Sequence, residues 1–248
     1  MHGKSNIRYA IHCSIAVAAL VLPVTAAQAQ GFTDAEKQLL VQCSNQTQSP
    51  QQSVDACNAL LADPHVQTMY TQIGKEVLEG ANFNLGIAYD RMDRPDEAIK
   101  SYDAALMLNP QDVQALGNRG ADRIEVHDYK KAIVDLTQAI ALDQKEPILF
   151  VDRGVAYQKT AQYQNALQDD DRAIGLAPND PIPYFNRGNV LSALGQFDRA
   201  IGDYSKAIAL KPDYAEAFEN RATAYDKTGQ HDLAAKDRAT LQNLTAGQ

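Results

Sequence analysis

Few residues of this sequence are of types that do chemistry, and their spacing argues against most of the chemistry open to them. The cysteines are Cys13, Cys43 and Cys57, and beyond the first thirty residues the histidines are His65, His127 and His231, far apart. A redox dithiol favours Cys-x-x-Cys spacing, and a zinc site needs further ligands close by. Asp169-Asp170-Asp171 could attract a cation. That run lacks the Gly and closing Glu of a calcium loop and falls inside a helical pattern, where a solvated acidic face is the simpler reading. A Gly-rich phosphate loop, His-Glu-x-x-His and Gly-x-Ser-x-Gly are all missing from the sequence. No catalytic residue, metal ligand or cofactor is therefore expected, and the chain reads as a non-enzyme.

With 248 residues, 45% apolar and 22% charged, the composition is that of a globular protein, which excludes general disorder, collagen and a multi-pass membrane protein. A net charge of -8 makes nucleic acid a poor partner, because phosphates must be neutralised by a basic surplus. Lys4 and Arg8, the apolar stretch Ile11 to Val24, and Ala27-Gln28-Ala29 have the order of a signal peptide over residues 1–29. The apolar run is ~14 residues against the ~20 that span a bilayer, so no stable membrane insertion is expected after cleavage; an uncleaved anchor is the alternative. Cys13 lies within that run and does not resemble a lipoprotein acylation site. Export to the periplasm gives Cys43 and Cys57 an oxidising compartment and favours a disulfide over two free thiols. Closing a loop of about 15 residues is worth roughly 3 kcal/mol in the chain-entropy model.

The elements that hold these residues are announced by an internal period of 34. Gly86, Gly120, Gly154 and Gly188 keep it, as do Ala98, Ala132, Ala166, Ala200 and Ala234, and Ala105, Ala139, Ala173 and Ala207. Pro110, Pro178 and Pro212 fall in step. The units are 79–112, 113–146, 147–180, 181–214 and 215–248. Leu85-Gly86, Tyr89, Ala98, Tyr102, Ala105 and Pro110 in the first unit, with Tyr184, Gly188, Ala200, Tyr204, Ala207 and Pro212 in the fourth, resemble the tetratricopeptide repeat family. The resemblance implies an all-α, right-handed solenoid of stacked antiparallel helix pairs. The physics agrees: small residues let two helices approach, Asp93, Gly195 and Gly229 turn the chain, and the prolines stop the second helix. One pair cannot bury its apolar face alone, so stacking supplies the core.

Departures from the pattern are Asp170 where an aromatic is expected, Arg123 in place of a Tyr, and Arg238 with Leu241 in the last unit, which then doubles as a C-terminal cap. Residues 30–78 must cap the other end as a helical hairpin. Thr33 and Glu36 form a capping box there, a first helix runs through Cys43, and a second runs from about Gln52 to Ala62 and ends at Pro64. In the frame of the repeat the two cysteines face each other. His65 to Gly80 reads as an extension of the next helix.

In the resembled family the first helix of each pair lines a concave groove. Here one groove place reads Asn84, Asn118, Asp152, Asn186 and Asn220, similar to the asparagine ladder of O-linked N-acetylglucosamine transferases. Such amides could pair with a peptide backbone without selecting side chains, or Asn-Arg-Gly could be a structural habit of the repeat; both readings stand. Neighbouring places carry Phe83, Ile87, Val151, Val155, Phe185 and Asn189, with Ile148 and Ile182, while Glu216, Glu219 and Asp226 make the far end acidic. The basic residues of a two-carboxylate clamp are not there. Arg119, Arg153, Arg187 and Arg221 appear in step with Asp135, Asp169, Asp203 and Asp237, and the first unit, with Leu85 and Ser101, has neither. That co-occurrence predicts an ion pair within each unit; the alternative is an anion-binding row of arginines. The expected function is a scaffold that binds an extended protein segment in cell-envelope assembly. An oligomerising structural subunit and an accessory subunit of an envelope enzyme are the competing readings, and the sequence does not set the oligomeric state.

Overall fold

The computed structural model describes residues 31–68 and 72–246, and the expected signal peptide, 1–29, lies outside them. Thirteen α-helices and no strand occur among the described residues. The chain divides into two compact units, up to Asp143 and from Gln144 onward.

The first unit opens with a hairpin of α1 (Asp34–Ser44) and α2 (Pro50–Ala62). Thr33 and Glu36 form the expected capping box on α1, and Ser49 with Gln52 forms a second one on α2, where Pro50 occupies the first turn. Cys43 and Cys57 are joined by a disulfide, S–S 2.08 Å, across the two helices. Phe32, Val54, Leu60, Val66, Val77 and Ala81 pack around it. Pro64 does more than end α2. That helix stops at Ala62, and Pro64 begins a short helix of its own, α3 (Pro64–Thr68), which packs on α2 and on α4 (Gln72–Asp90) and buries Val66 completely. The Asp63 carboxylate accepts from the N–H groups of His65 and Val66, which is what lets a new helix start here. The long α4 then packs on α5 (Pro95–Leu108), α5 on α6 (Val113–Glu125), and α6 on α7 (Tyr129–Leu142).

The second unit repeats the pairing with α8 (Pro147–Lys159), α9 (Tyr163–Leu176), α10 (Pro181–Ala193), α11 (Phe197–Leu210), α12 (Ala215–Lys227) and α13 (His231–Ala246), each packed on the next. The first helices of its pairs, α8, α10 and α12, also touch in succession, so they share one face.

Two devices recur in both units. At Gly86, Gly120 and Gly188 an added Cβ would lie 2.5, 2.7 and 2.7 Å from Tyr102, Leu136 and Tyr204 of the partner helix, so the hydrogen of glycine is what lets the pair close. The turn inside each pair passes through a left-handed residue: Asp93, His127, Ala161, Gly195 and Gly229 have φ of 62°, 63°, 57°, 73° and 77°. The amide after each one returns to a carbonyl of the preceding helix, as Arg94 N to Tyr89 O at 3.1 Å and Gln196 N to Leu191 O at 2.9 Å, which is the Schellman closure.

Candidate functional site

The Arg–Asp co-variation within the chain resolves into a repeated clamp. Arg119 donates Nε and Nη2 to the two oxygens of Asp135 at 2.9 and 2.7 Å. Arg153 does the same to Asp169, Arg187 to Asp203 and Arg221 to Asp237, at distances of 2.6–2.8 Å. All four carboxylates are buried. A bidentate guanidinium supplies what burial costs them. The remaining Nη1 reaches the second helix of the preceding pair, at Asp103 from Arg119, Asp171 from Arg187 and Ser205 from Arg221. Arg119, Arg187 and Arg221 thus each tie their own pair and fasten it to its predecessor. Arg123, at the place of the expected Tyr, adds its guanidinium to Asp135 and Asp103. With their donors spent on carboxylates, these arginines do not form an anion-binding row. The second arm had a sequence signal of its own, since Asp103, Asp171 and Ser205 also keep the 34-residue period.

The asparagines divide. Asn118 Nδ2 donates to Tyr102 Oη at 3.2 Å, and Asn220 Nδ2 donates to Asn189 Oδ1 at 2.8 Å. Asn189 Oδ1 also accepts from Tyr204 Oη at 2.9 Å, so these amides bind helix to helix. Asn84 and Asn186 are half-buried, and their amides make no hydrogen bond among the described residues. Asp152, in the same series, is buried, and desolvation pushes its carboxyl well above the ordinary range.

Among the apolar places, Phe83 and Val151 are 7% and 1% exposed and are part of the core, Phe83 tilted against Tyr102 at 5.7 Å. Ile87, Val155, Phe185 and Asn189 are half-buried. Phe185 lies between Tyr204 and Tyr214, ring centroids 6.0 and 4.8 Å away, which fixes its position while it stays half-buried. At the acidic end Glu219 is exposed, but Asp226 receives Arg238 and, at 3.0 Å, His231. These contacts hold its carboxyl below the usual range.

Two carboxyl environments differ from the sequence reading: Asp122 gives no sign of itself there, and Asp169 and Asp170, expected on a solvated acidic face, are buried. In the first unit Tyr102 Oη donates to Asp90 Oδ2 at 2.6 Å, and Asp122 is 2% exposed. Burial, the charge and hydrogen bond of Asp90, and then Glu125 push the Asp122 carboxyl up to about 10. In the second unit Asp170 is 1% exposed, neither of its oxygens has a hydrogen-bond partner, and burial likewise pushes its carboxyl well up. No group of three or more His, Cys, Asp or Glu that could hold a metal ion occurs among the described residues. Nor is any helix among them long and apolar enough to cross a membrane.

Comparison with known proteins agrees with this architecture. A tetratricopeptide repeat model matches residues 81–112, and a TPR repeat model matches residues 188–229. No curated protein sequence matches. Among solved structures, MamA is 26% identical, with 66% of this chain and 95% of that chain covered and a TM-score of 0.61. A tetratricopeptide repeat protein from Parabacteroides merdae is 18% identical, covers 85% of this chain and 80% of its own, and has a TM-score of 0.71. YrrB, described as a TPR protein with an unusual peptide-binding site, is 23% identical over 66% of this chain and 84% of that chain, with a TM-score of 0.56.

Proposed function

We propose that the chain, whose repeats match tetratricopeptide models over residues 81–112 and 188–229, is a non-enzymatic scaffold which holds an extended segment of a partner protein along the shared face of α8, α10 and α12. The observation that carries this reading is the pairing on α10 of Phe185, half-buried and held by two tyrosines, and Asn186, whose amide is unused among the described residues. An apolar anchor supplies affinity, and a side-chain amide replaces the water that a peptide backbone gives up on binding. Val155 and Asn189 are the half-buried neighbours in that face, and Asn84 with Ile87 offers a comparable pairing on α4 in the first unit. The peptide-binding site of the structurally similar YrrB supports the class of ligand.

The reading extends to place. A disulfide between the two cysteines that follow the signal-like segment suits an exported, periplasmic protein with a role in envelope assembly. The mature protein then starts at Gln30, which N-terminal sequencing checks.

For the groove, peptides selected by display on the whole mature protein are titrated by fluorescence polarisation. Phe185→Ala and Asn186→Ala should each weaken binding by roughly 1–2 kcal/mol; Asn186→Ala should leave the melting curve nearly unchanged, while Phe185→Ala also lowers it through lost contact with Tyr204 and Tyr214. Lys206→Ala, on the exposed side of α11, should change nothing. Binding that survives the α10 changes and is lost with Lys206 would move the site to the outer helices.

A further inference from the structure

The place that faces the repeated glycine holds Tyr102, Leu136 and Tyr204 in three pairs and Asp170 in the fourth. Gly154 shows the difference: an added Cβ there would meet Asp170 Oδ1 at 3.2 Å, where its counterparts would run into a ring or a leucine branch at 2.5–2.7 Å. The tyrosines also carry polar contacts across to the next first helix: Tyr102 Oη accepts from Asn118, and Tyr204 Oη meets Asn220 through Asn189. Asp170 is too short for such a bridge. Its two oxygens are buried without a hydrogen bond, and on α10 the amide of Asn186, the counterpart of Asn118, is unused among the described residues. Both ends of the bridge are present and its middle is missing.

The charge around the gap is one-sided. Asp169, Asp171 and Asp203 stand near Asp170, and the Arg187 that tempers them is itself held by Asp203 and Asp171. Arg153 is clamped in the same way by Asp169. A donor with positive charge would satisfy both oxygens and offset this excess, whereas an anion or an apolar group would do neither.

We propose that Asp170 and Asn186 form a subsite for an alkylammonium group, the side chain of a lysine in the bound segment, entering past Asn186 and donating from Nζ to the Asp170 carboxylate and Asn186 Oδ1. This rests on the peptide reading of the α8–α10–α12 face and names the residue that the segment carries there. An ammonium is the more compact cation, and its three donors match the two unpartnered oxygens of Asp170 and Asn186 Oδ1 better than the broad guanidinium plane does. Burial raises the affinity of Asp170 for its proton and keeps the carboxyl neutral until the ammonium binds, when that proton passes to solvent.

Two measurements separate this inference from the reading beneath it. The first uses n-butylammonium chloride on the whole mature protein, against sodium chloride at matched ionic strength. The wild type should melt about 3 °C higher with the ammonium salt, and Asp170→Leu and Asp170→Asn should show no difference between the salts. Equal melting of the wild type in the two salts overturns the subsite and leaves the gap to water. The second uses peptides selected by display whose binding depends on Phe185. Replacing their lysine by norleucine should weaken binding to the wild type about tenfold and leave binding to Asp170→Leu unchanged. A norleucine peptide that binds the wild type equally well overturns the inference while the groove reading stands. An ammonium effect without any Phe185-dependent peptide overturns the groove reading and, with it, lysine as the source of the ammonium.

Discussion

The N-terminal hairpin and the later helix pairs solve one problem by different means. Each must hold two short antiparallel helices together. The α1–α2 hairpin does it covalently through Cys43–Cys57, with a capping box on each helix. The pairs α6–α7, α8–α9, α10–α11 and α12–α13 do it with a buried Arg–Asp clamp, and their turns run through a left-handed residue. The α10–α11 pair packs on α9 at one side and on α12 at the other, and Arg187 fastens it to its predecessor as well. Among the described residues the hairpin packs on α3 and α4. A covalent tie constrains the unfolded chain whether or not a neighbour is present, whereas an ionic clamp depends on the burial that neighbours provide.

Breaking the covalent tie should have the largest effect. Cys57→Ala, or reduction of the wild type, is expected to lower unfolding stability by about 3 kcal/mol, read from chemical denaturation with and without reductant. Hydrogen exchange should show the loss first in α1 and α2. Loss spread evenly over the chain would mean that the hairpin is no separate region. Breaking one clamp comes next. Arg187→Ala leaves Asp203 buried without its guanidinium and should cost on the order of 1–3 kcal/mol. Arg187→Ala with Asp203→Ala should cost less than the two single changes added; strict additivity would deny the coupling that the bidentate geometry describes.

The clamps and the disulfide could be read from the sequence, because both are carried by residue types that recur or pair: Arg187 tracks Asp203, and Cys43 and Cys57 are the two cysteines beyond the signal-like segment. The turns at Gly195 and Gly229 were equally readable, since glycine favours the left-handed region. Ala161 takes up the same conformation with no such signal, because the Schellman closure imposes it. The site was less accessible. Asn118 and Asn186 are identical in sequence context, Asn-Arg-Gly in both, yet one amide is spent on Tyr102 and the other is unused among the described residues. What decides between them is the length of a side chain on a different helix, Tyr102 against Asp170. Pro64 misleads for a related reason: a proline after a helix reads as a stop, and it is just as well suited to the first turn of the helix that follows.

The two regions should also respond to pH in opposite directions. In the hairpin Glu36 is buried, which works to raise its affinity for a proton, but His65, 2.7 Å away, and Thr33 outweigh this and lower it below the ordinary value. Its contribution is present above about pH 4.5 and fades as pH falls. Asp122 in the α6–α7 pair has its carboxyl raised from 3.8 to about 10, so the folded state holds a proton that the unfolded chain releases. Stability from this group is complete below about pH 4 and declines as pH rises toward 10. Denaturation midpoints between pH 5 and pH 8 should therefore fall with pH in the wild type and flatten in Asp122→Asn. A wild-type midpoint that rises over this range would show that the Asp90–Asp122 pair is not protonated in the fold.

The smallest effect concerns the turns, and its sign is the informative part. The α1–α2 hairpin contains no left-handed residue, so its loop stores no strain of this kind. The α8–α9 turn sets Ala161 at φ 57°, where the Cβ crowds the following carbonyl. Nothing replaces the side chain's value there, since Ala161 is exposed. Ala161→Gly should therefore stabilise the protein by up to about 1 kcal/mol, because relief of strain in the folded turn outweighs the extra freedom glycine gives the unfolded chain. The same change at Ala56, buried within α2 near the disulfide, should destabilise by a similar amount through loss of helix propensity and packing. Opposite signs in matched thermal melts would show that the repeats tolerate strain in their turns which the hairpin does not carry; a loss at Ala161 as well would mean that the left-handed turn is not strained in solution.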